Sequence, residues 1–151
     1  MSTAPYPAYA GRMSTWVRVR QVANLLNLST PLGLLLAVTG RARLTRGPHG
    51  TILAYGYRWP VPAPRAPAVT VGDVVLLRLD PERVAGRPRL LEHEARHCTQ
   101  WAWFVGPVGF VPAYLIASLW SWWHSGDFAL RNPFEMHADL VDGGYVSPPR
   151  D

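Results

Sequence analysis

The sequence predicts an α+β fold, with a small strand-rich N-terminal half followed by three helices. Its 151 residues suit one domain. Segments of β-type residues occur before residue 85, and apolar residues recur at helical spacing after Pro88. A content of 48% apolar and 17% charged residues excludes a disordered chain. We therefore expect residues 1–15 to form a flexible arm and residues 16–151 to form a single domain.

The predicted strand-rich part covers residues 16–80. Valine alternates with arginine in its first segment, and β-branched residues dominate its last. Four prolines between residues 60 and 67 indicate an extended connector. Residues 21–38 are apolar, and their first part suits a short helix, although periodicity alone does not decide it. The segments with strand character are residues 16–20, 51–59 and 69–77.

Three helices are expected in residues 88–145. Pro88 suits the first turn of one helix, which Gly106 and Pro107 must end. A second helix fits residues 113–123. For the third, Asn132 suits the N-cap and Pro133 the first position, with an end at Gly143 and Gly144. The first helix has an apolar face made by Leu91, Ala95, Cys98, Ala102 and Val105.

The charge is distributed unevenly along the chain. Residues 1–91 hold 12 arginines against 3 acidic residues, a balance of +9, whereas residues 92–151 hold 3 arginines against 7 acidic residues, a balance of −4. Nucleic-acid binders usually concentrate basic residues on one stripe. Here the arginines are scattered, and only Arg41, Arg43 and Arg46 lie close together, so no nucleic-acid partner is expected.

Residues 101–123 carry no formal charge and are long enough to cross a bilayer. Glycines and prolines interrupt them early, which favours a buried or interfacial helix over a span. The single cysteine, Cys98, cannot form an internal disulfide, and the N-terminus does not resemble a signal peptide. We expect a cytoplasmic location. Contact between residues 101–123 and a membrane surface is an open alternative.

The first C-terminal helix contains the motif His93-Glu94-Ala95-Arg96-His97. Its two histidines are four residues apart, so both imidazoles lie on one face of the helix and can bind one Zn²⁺ ion. Glu94 then lies beside the ion without binding it. A carboxylate in that position can take a proton from a water molecule that the ion activates.

A catalytic zinc ion needs a third protein ligand. Glu135 is favoured because Asp139 follows it by four residues on the third helix, where it could orient a ligand histidine through a hydrogen bond. Alternatively, Glu135 is a capping-box residue that bonds back to the Asn132 backbone. The downstream candidates are His124, Asp127, Glu135, His137, Asp139 and Asp142.

These residues resemble the gluzincin branch of the zincin metallopeptidases, in which a glutamate helix follows an H-E-x-x-H helix. The chain is also similar to small bacterial proteins with an H-E-x-x-H-x-x-Q helix, which here ends in Gln100. The resemblance covers about residues 69–145 and implies a zincin-like fold. It implies metal binding by His93, His97 and Glu135, with Glu94 as the catalytic base and Asp139 as a supporting residue.

The same resemblance implies that residues 69–79 form an edge strand that holds extended substrate. No oxyanion-stabilising residue matches the family, so Tyr114, Arg131 and Tyr145 are candidates by elimination. The expected activity is zinc-dependent hydrolysis of a peptide or protein substrate. The alternatives are a zinc protein without catalysis and a membrane-associated interaction protein. Glu94 distinguishes a catalytic site from the first alternative, because a structural zinc ion has four protein ligands and does not need a free carboxylate beside it.

Overall fold

The computed structural model describes residues 13–58 and 66–147. These residues form helices packed on a small mixed sheet, which confirms the α+β class. The predicted arm and connector fall largely outside them, in residues 1–12 and 59–65. The helices are α1 (Thr15–Leu26), α2 (Ser29–Thr39), α3 (Pro81–Ala85), α4 (Pro88–Trp103), α5 (Pro107–Ser125) and α6 (Pro133–Ala138). The strands are β1 (Arg43–Arg46), β2 (Ile52–Tyr55), β3 (Ala68–Val71) and β4 (Val74–Leu77).

The four strands lie in the order β1-β2-β4-β3. β2 runs parallel to β4, whereas β1 and β3 pair antiparallel with their neighbours. Strand β3 is therefore an edge strand, and Thr70 in it lies opposite Val75 of β4. Of the segment expected to be an edge strand, residues 69–79, only the β3 part lies at an edge, because β4 is enclosed between β2 and β3.

The strand predicted for residues 16–20 is wrong, because these residues lie in α1. Ser14 caps the helix by accepting a hydrogen bond from the Val17 N–H. The alternation of valine and arginine misled the prediction, since Arg20 is the buried residue while Val19 is 51% exposed. The Arg20 Nε atom lies 2.8 Å from Asp73 Oδ1, so this arginine packs inward as half of an ion pair.

Residues 21–38 form the rest of α1 and nearly all of α2, with a bend between the two helices. Leu28 adopts a left-handed conformation at this bend, with φ of 66°. The short helix expected in the first part of this segment is thus confirmed, and a second helix follows it. Gly33 allows α2 to approach the sheet, because a Cβ atom there would lie only 2.4 Å from the Val71 carbonyl oxygen.

The continuous strand predicted for residues 69–77 is a hairpin of β3 and β4. Its turn contains Gly72, whose φ of 64° requires the freedom of glycine. The β-branched residues on both sides hid this turn in the sequence. Of the strand predicted for residues 51–59, the described residues 51–58 form a strand only at Ile52–Tyr55, and β1 and α3 were not predicted.

The helix predicted after Pro88 is confirmed as α4, and the other two differ in length. Helix α5 starts at Pro107 rather than at residue 113, and Pro112 lies within it. Because proline has no backbone N–H, the helical hydrogen bond from position 112 to the Val108 carbonyl is missing inside α5. Helix α6 is capped by Asn132 as expected, but it ends at Ala138, well before Gly143.

Two apolar clusters hold these elements together on opposite faces of the sheet. Trp101 of α4 and Phe110 of α5 join α2 on one face. Val84 of α3 and Leu91 of α4 pack on the other. Helix α4 therefore lies against β3 and contributes to both clusters, which fixes the position of the motif that it carries.

Within the described residues, no single helix has the length and apolar composition needed to cross a membrane. Two pairs of helices meet this test only when combined, and both pairs are sharply bent. Helices α1 and α2 meet at 73°, and α4 and α5 meet at 120°.

Candidate metal centre

The two histidines and the glutamate that define the motif are all buried in α4. His93 is 2% exposed, Glu94 is 4% exposed and His97 is 8% exposed. Burial of such groups is unfavourable unless each finds a partner. The surroundings of these side chains therefore show what the site is built to hold.

Glu135 of α6 meets the two histidines, as the sequence predicted. Its Oε2 atom lies 3.1 Å from His93 Nε2 and 3.5 Å from His97 Nε2. The two Nε2 atoms are 3.1 Å apart. The three donor atoms thus form a compact triangle between α4 and α6.

The other ring nitrogen of each histidine already has a partner. His93 Nδ1 lies 2.8 Å from the Asp139 carbonyl oxygen, and His97 Nδ1 lies 2.8 Å from Gln100 Oε1. The Gln100 amide nitrogen donates to the Phe134 carbonyl, so its oxygen faces His97. Both acceptors require a proton on Nδ1. In the neutral histidines, each Nε2 therefore directs a lone pair into the triangle.

This triangle fits a metal ion. Donor atoms bound tetrahedrally at roughly 2.0–2.1 Å from one ion lie about 3.3 Å apart, close to the observed separations. Glu135 Oε2 is fully buried without a hydrogen-bond partner, although a buried polar atom normally has one. Two lone pairs and a carboxylate facing one another repel unless a cation lies between them. The buried group of His93, His97 and Glu135 could thus hold a metal ion.

The electrostatics of the triangle favour a positive charge. Burial alone would lower the pKa of His97, but the Glu135 carboxylate, together with Glu94 and Gln100, raises it to about 9. Burial would likewise raise the pKa of Glu135, yet His93, His97 and the Tyr114 hydroxyl hold it well below its usual range. The carboxylate is therefore charged, and a metal ion binding here competes with a proton on His97.

The Glu94 side chain points toward the sheet and not toward Glu135. Its Oε2 atom accepts a hydrogen bond of 2.6 Å from the Thr70 hydroxyl of β3. The Thr70 carbonyl accepts a bond of 2.9 Å from the Trp101 indole N–H, which fixes this part of β3 against α4. Glu94 is thus held by the edge strand next to the two histidines and outside the donor triangle.

The role expected for the Asp139 side chain is wrong. Asp139 follows the end of α6 with φ of 78°, and its carboxylate accepts hydrogen bonds from the Val141 and Asp142 N–H groups. These bonds lower the pKa of this carboxyl. Its backbone carbonyl, rather than its carboxylate, accepts from His93. The early end of α6 explains the difference, because it removes the i, i+4 relation to Glu135.

Arg96 holds the segment that carries this carbonyl. Its Nη1 atom donates to the Ala138 carbonyl at 2.7 Å and to Asp142 Oδ2 at 3.0 Å. Gly143 then passes directly over His93, where an added Cβ atom would lie 2.6 Å from the ring. Arg96, at a variable position of the motif, thus fixes the loop that orients His93.

The three oxyanion candidates occupy different places. Tyr114 donates its hydroxyl proton to Glu135 Oε1, and burial together with this carboxylate raises its pKa. The Tyr145 ring lies 6.0 Å from the His93 ring and is 43% exposed. Arg131 is exposed, and its backbone N–H donates to Ser121 Oγ, so only the two tyrosines are brought to the donor triangle.

The capping-box interpretation of Glu135 is wrong. Asn132 caps α6 by accepting from the Phe134 N–H, and its own backbone N–H donates to the Ala129 carbonyl. Glu135 instead points toward the histidines. Of the other ligand candidates, His137 accepts from the Gln100 amide, and Asp142 pairs with Arg96. Asp127 caps the N–H groups of Ala129 and Leu130.

The sequence analysis gave no role to three residues that hold the site. The spacing from His97 could have indicated Gln100, because residues three apart on a helix are neighbours. Arg96 occupies a variable position of the motif, so the sequence did not indicate its role. Thr70 lies 24 residues before Glu94 on another element, so only the packing of α4 on β3 reveals it.

Comparisons with protein-family models, with curated proteins and with solved structures found no match to this chain.

Proposed function

We propose that the protein is a zinc-dependent, zincin-like hydrolase that cleaves peptide bonds, with His93, His97 and Glu135 as ligands and Glu94 as the general base. One observation carries the proposal. Three buried donor atoms converge within 3.5 Å, and the glutamate of the motif lies beside them without joining them.

Zinc is the metal that suits this donor set. Imidazole nitrogens and a carboxylate are typical zinc ligands, and three protein ligands leave a fourth position open. When bound, the ion would supply Lewis-acid chemistry, polarising a carbonyl and lowering the pKa of water to about 7.

Glu94 would accept the proton from the attacking water and return it to the leaving amine. The Thr70 hydroxyl holds one of its oxygens at 2.6 Å, which restricts the orientation of the carboxylate.

The remaining neighbours would orient the ligands. The Asp139 carbonyl and the Gln100 amide keep the Nδ1 protons in place, so each Nε2 is free to bind. Tyr114 holds the second oxygen of Glu135. Tyr145, half-exposed beside His93, is the better placed of the two tyrosines to reach a substrate carbonyl, and its hydroxyl also interacts with the Glu135 carboxylate.

A zinc ion with a purely structural role is the alternative for the same donors. Such sites are normally closed by four protein ligands. Among residues 13–58 and 66–147, the group contains three donors, and this favours a catalytic site. A structural role would also leave the burial of Glu94 beside the ligands without a purpose.

Two measurements test the proposal in sequence. Zinc content by mass spectrometry should be about one ion per chain in the wild type and much lower in Glu135→Ala. Glu94→Gln should then retain zinc and lose roughly 10²–10⁴-fold in the rate of cleaving a peptide library. Glu92→Gln changes an exposed side chain one residue before the motif. It is the matched control and should keep both the zinc content and the rate of peptide cleavage.

Absence of zinc from wild-type protein purified without chelator would contradict the metal site. Undiminished cleavage by Glu94→Gln would contradict the mechanism. Zinc in the wild type without cleavage of any peptide would favour the structural alternative.

A further inference from the structure

Helices α2 and α5 are apolar on every side, yet much of their surface faces solvent. Neither contains an aspartate, glutamate, lysine or arginine. A helix that is hydrophobic all round is normally buried in a core or a membrane. Here Val38 is 65% exposed on α2, while on α5 Val108 is 86% exposed and Trp123 is 80% exposed.

These side chains belong to one surface, because the two helix bends lie side by side. The Asn27 amide donates to the Trp101 carbonyl at 3.3 Å, and a Cβ atom at Gly106 would lie 2.7 Å from Asn27. The Trp16 and Trp103 rings also meet edge to face at 6.4 Å. We call the exposed apolar side chains of residues 16–38 and 103–123 the apolar surface. It is far more extended than the scattered apolar residues normal on a soluble domain.

The charged residues that follow α2 have one sign, whereas one exposed acidic residue, Asp127, follows α5. Residues 1–72 contain no acidic residue, and the exposed Arg41, Arg43 and Arg46 follow directly after α2. Two copies joined through this surface would gain no acidic partner for these arginines from the adjoining segment. Anionic lipid headgroups would complement them, at about 1 kcal/mol for each arginine near the surface.

The length of α2 suits one leaflet of a bilayer, whereas α5, with 19 residues and a length of about 28 Å, suits one leaflet when it is tilted. Helix α2 has 11 residues, a length of about 16 Å, and this is close to half of the roughly 30 Å hydrocarbon core. Trp120, Trp122 and Trp123 are all exposed on the last turns of α5, away from the bend. Tryptophan is enriched at the depth of the lipid headgroups.

We propose that the apolar surface binds an anionic lipid bilayer and enters one leaflet. The two bends lie deepest, and Arg41, Arg43 and the tryptophans at the end of α5 lie at the headgroups. This proposal is independent of the metal site, because none of the three donor residues belongs to the surface.

Vesicle flotation of the full chain tests the proposal. The wild type should float with vesicles of phosphatidylcholine and phosphatidylglycerol and bind much less to pure phosphatidylcholine. Val108→Glu should lower the partition coefficient by roughly tenfold or more, because a buried carboxylate is costly in hydrocarbon. Val146→Glu, the same change at an exposed valine outside the surface, is the matched control and should float like the wild type.

A second variant tests the charges. Arg41→Gln combined with Arg43→Gln should lower binding to the anionic vesicles by roughly tenfold or more and leave binding to phosphatidylcholine unchanged. Far-UV circular dichroism and zinc content should equal those of the wild type in every variant, so that loss of binding is not loss of fold.

Failure of the wild type to float with either vesicle would overturn the proposal. So would equal flotation of Val108→Glu and the wild type. If the wild type instead forms dimers in lipid-free solution that Val108→Glu splits, a second copy is the occupant and the lipid proposal is wrong.

Discussion

Two carboxylates, Asp73 and Glu135, are buried to the same degree and partnered differently. Asp73 is 2% exposed and has an arginine of its own, with Arg20 Nε at 2.8 Å. The Thr30 hydroxyl donates to its other oxygen at 3.2 Å. Burial raises the pKa of Asp73, and Arg20 opposes this effect. The cation for this carboxylate is built into the chain.

Glu135 is also 2% exposed, but no arginine within residues 13–58 and 66–147 pairs with it. Its neighbours are two imidazoles whose outer nitrogens are already engaged, and one of its oxygens lacks a hydrogen bond. The comparison separates two uses of a buried anion. Asp73 joins α1 to the β3–β4 turn with partners from the chain itself, whereas Glu135 and the two histidines form a group that could hold a metal ion.

The largest expected effect comes from removing the internal cation. Arg20→Met should lower the free energy of unfolding by about 3–5 kcal/mol, because it leaves Asp73 buried without a counter-charge. Arg83→Met, at an arginine that is mostly exposed, should change it by less than about 0.5 kcal/mol. Urea denaturation of the zinc-loaded proteins measures both. Equal stability of Arg20→Met and the wild type would show that the pair contributes nothing to the fold.

Removing the external cation should have the next largest effect. At a free zinc concentration 100 times the dissociation constant, binding stabilises the folded state by about 2.7 kcal/mol. Chelation should therefore lower the Tm of the wild type by roughly 5–10 °C. Glu135→Gln should lose most of this zinc dependence, and Glu92→Gln should keep it. Differential scanning fluorimetry with and without zinc measures these changes in Tm. If zinc raises the Tm of Glu135→Gln as much as that of the wild type, Glu135 is not a ligand.

A smaller effect is expected where a neighbour only orients a ligand. Gln100→Leu should weaken zinc binding by roughly 10–100-fold, because the proton on His97 Nδ1 loses its acceptor. Thr99→Val, the preceding residue of the same helix, should leave the affinity within about twofold. Competition with a fluorescent chelator measures the dissociation constants. Unchanged affinity in Gln100→Leu would mean that packing alone orients His97.

The smallest effect concerns the residue that holds the base. Thr70→Val should lower kcat/KM for peptide cleavage by about fivefold, the equivalent of one hydrogen bond of about 1 kcal/mol, and leave zinc affinity unchanged. A loss of zinc affinity that accompanies the lower rate would instead indicate a structural role for Thr70.

The sequence was sufficient where chemistry and periodicity agreed. Apolar residues at helical spacing defined α4, and the motif placed His93, Glu94 and His97 on it. Asn132 and Pro133 likewise defined the start of α6, which brought Glu135 within reach. Each of these predictions depended on local spacing, which a helix converts directly into direction.

The sequence was insufficient where tertiary contacts outweighed the local pattern. Residues 16–20 alternate like a strand, but Arg20 is drawn inward by Asp73, which lies 53 residues away. Asp139 was expected on a helix that ends one residue before it. The partner of Glu94 could not be found at all, since Thr70 reaches it only after α4 packs on the edge strand.

The distance along the chain between the metal donors limits when the site can form. A nascent chain that has reached His97 holds two donors on one helix, and Glu135 follows 38 residues later. At about 5–20 residues per second, the third donor is added roughly 2–8 s after the second. A ribosome-bound fragment that stops before α6 lacks Glu135, so the buried triangle cannot form on it. Synthesis itself thus delays the candidate metal site until both helices are present.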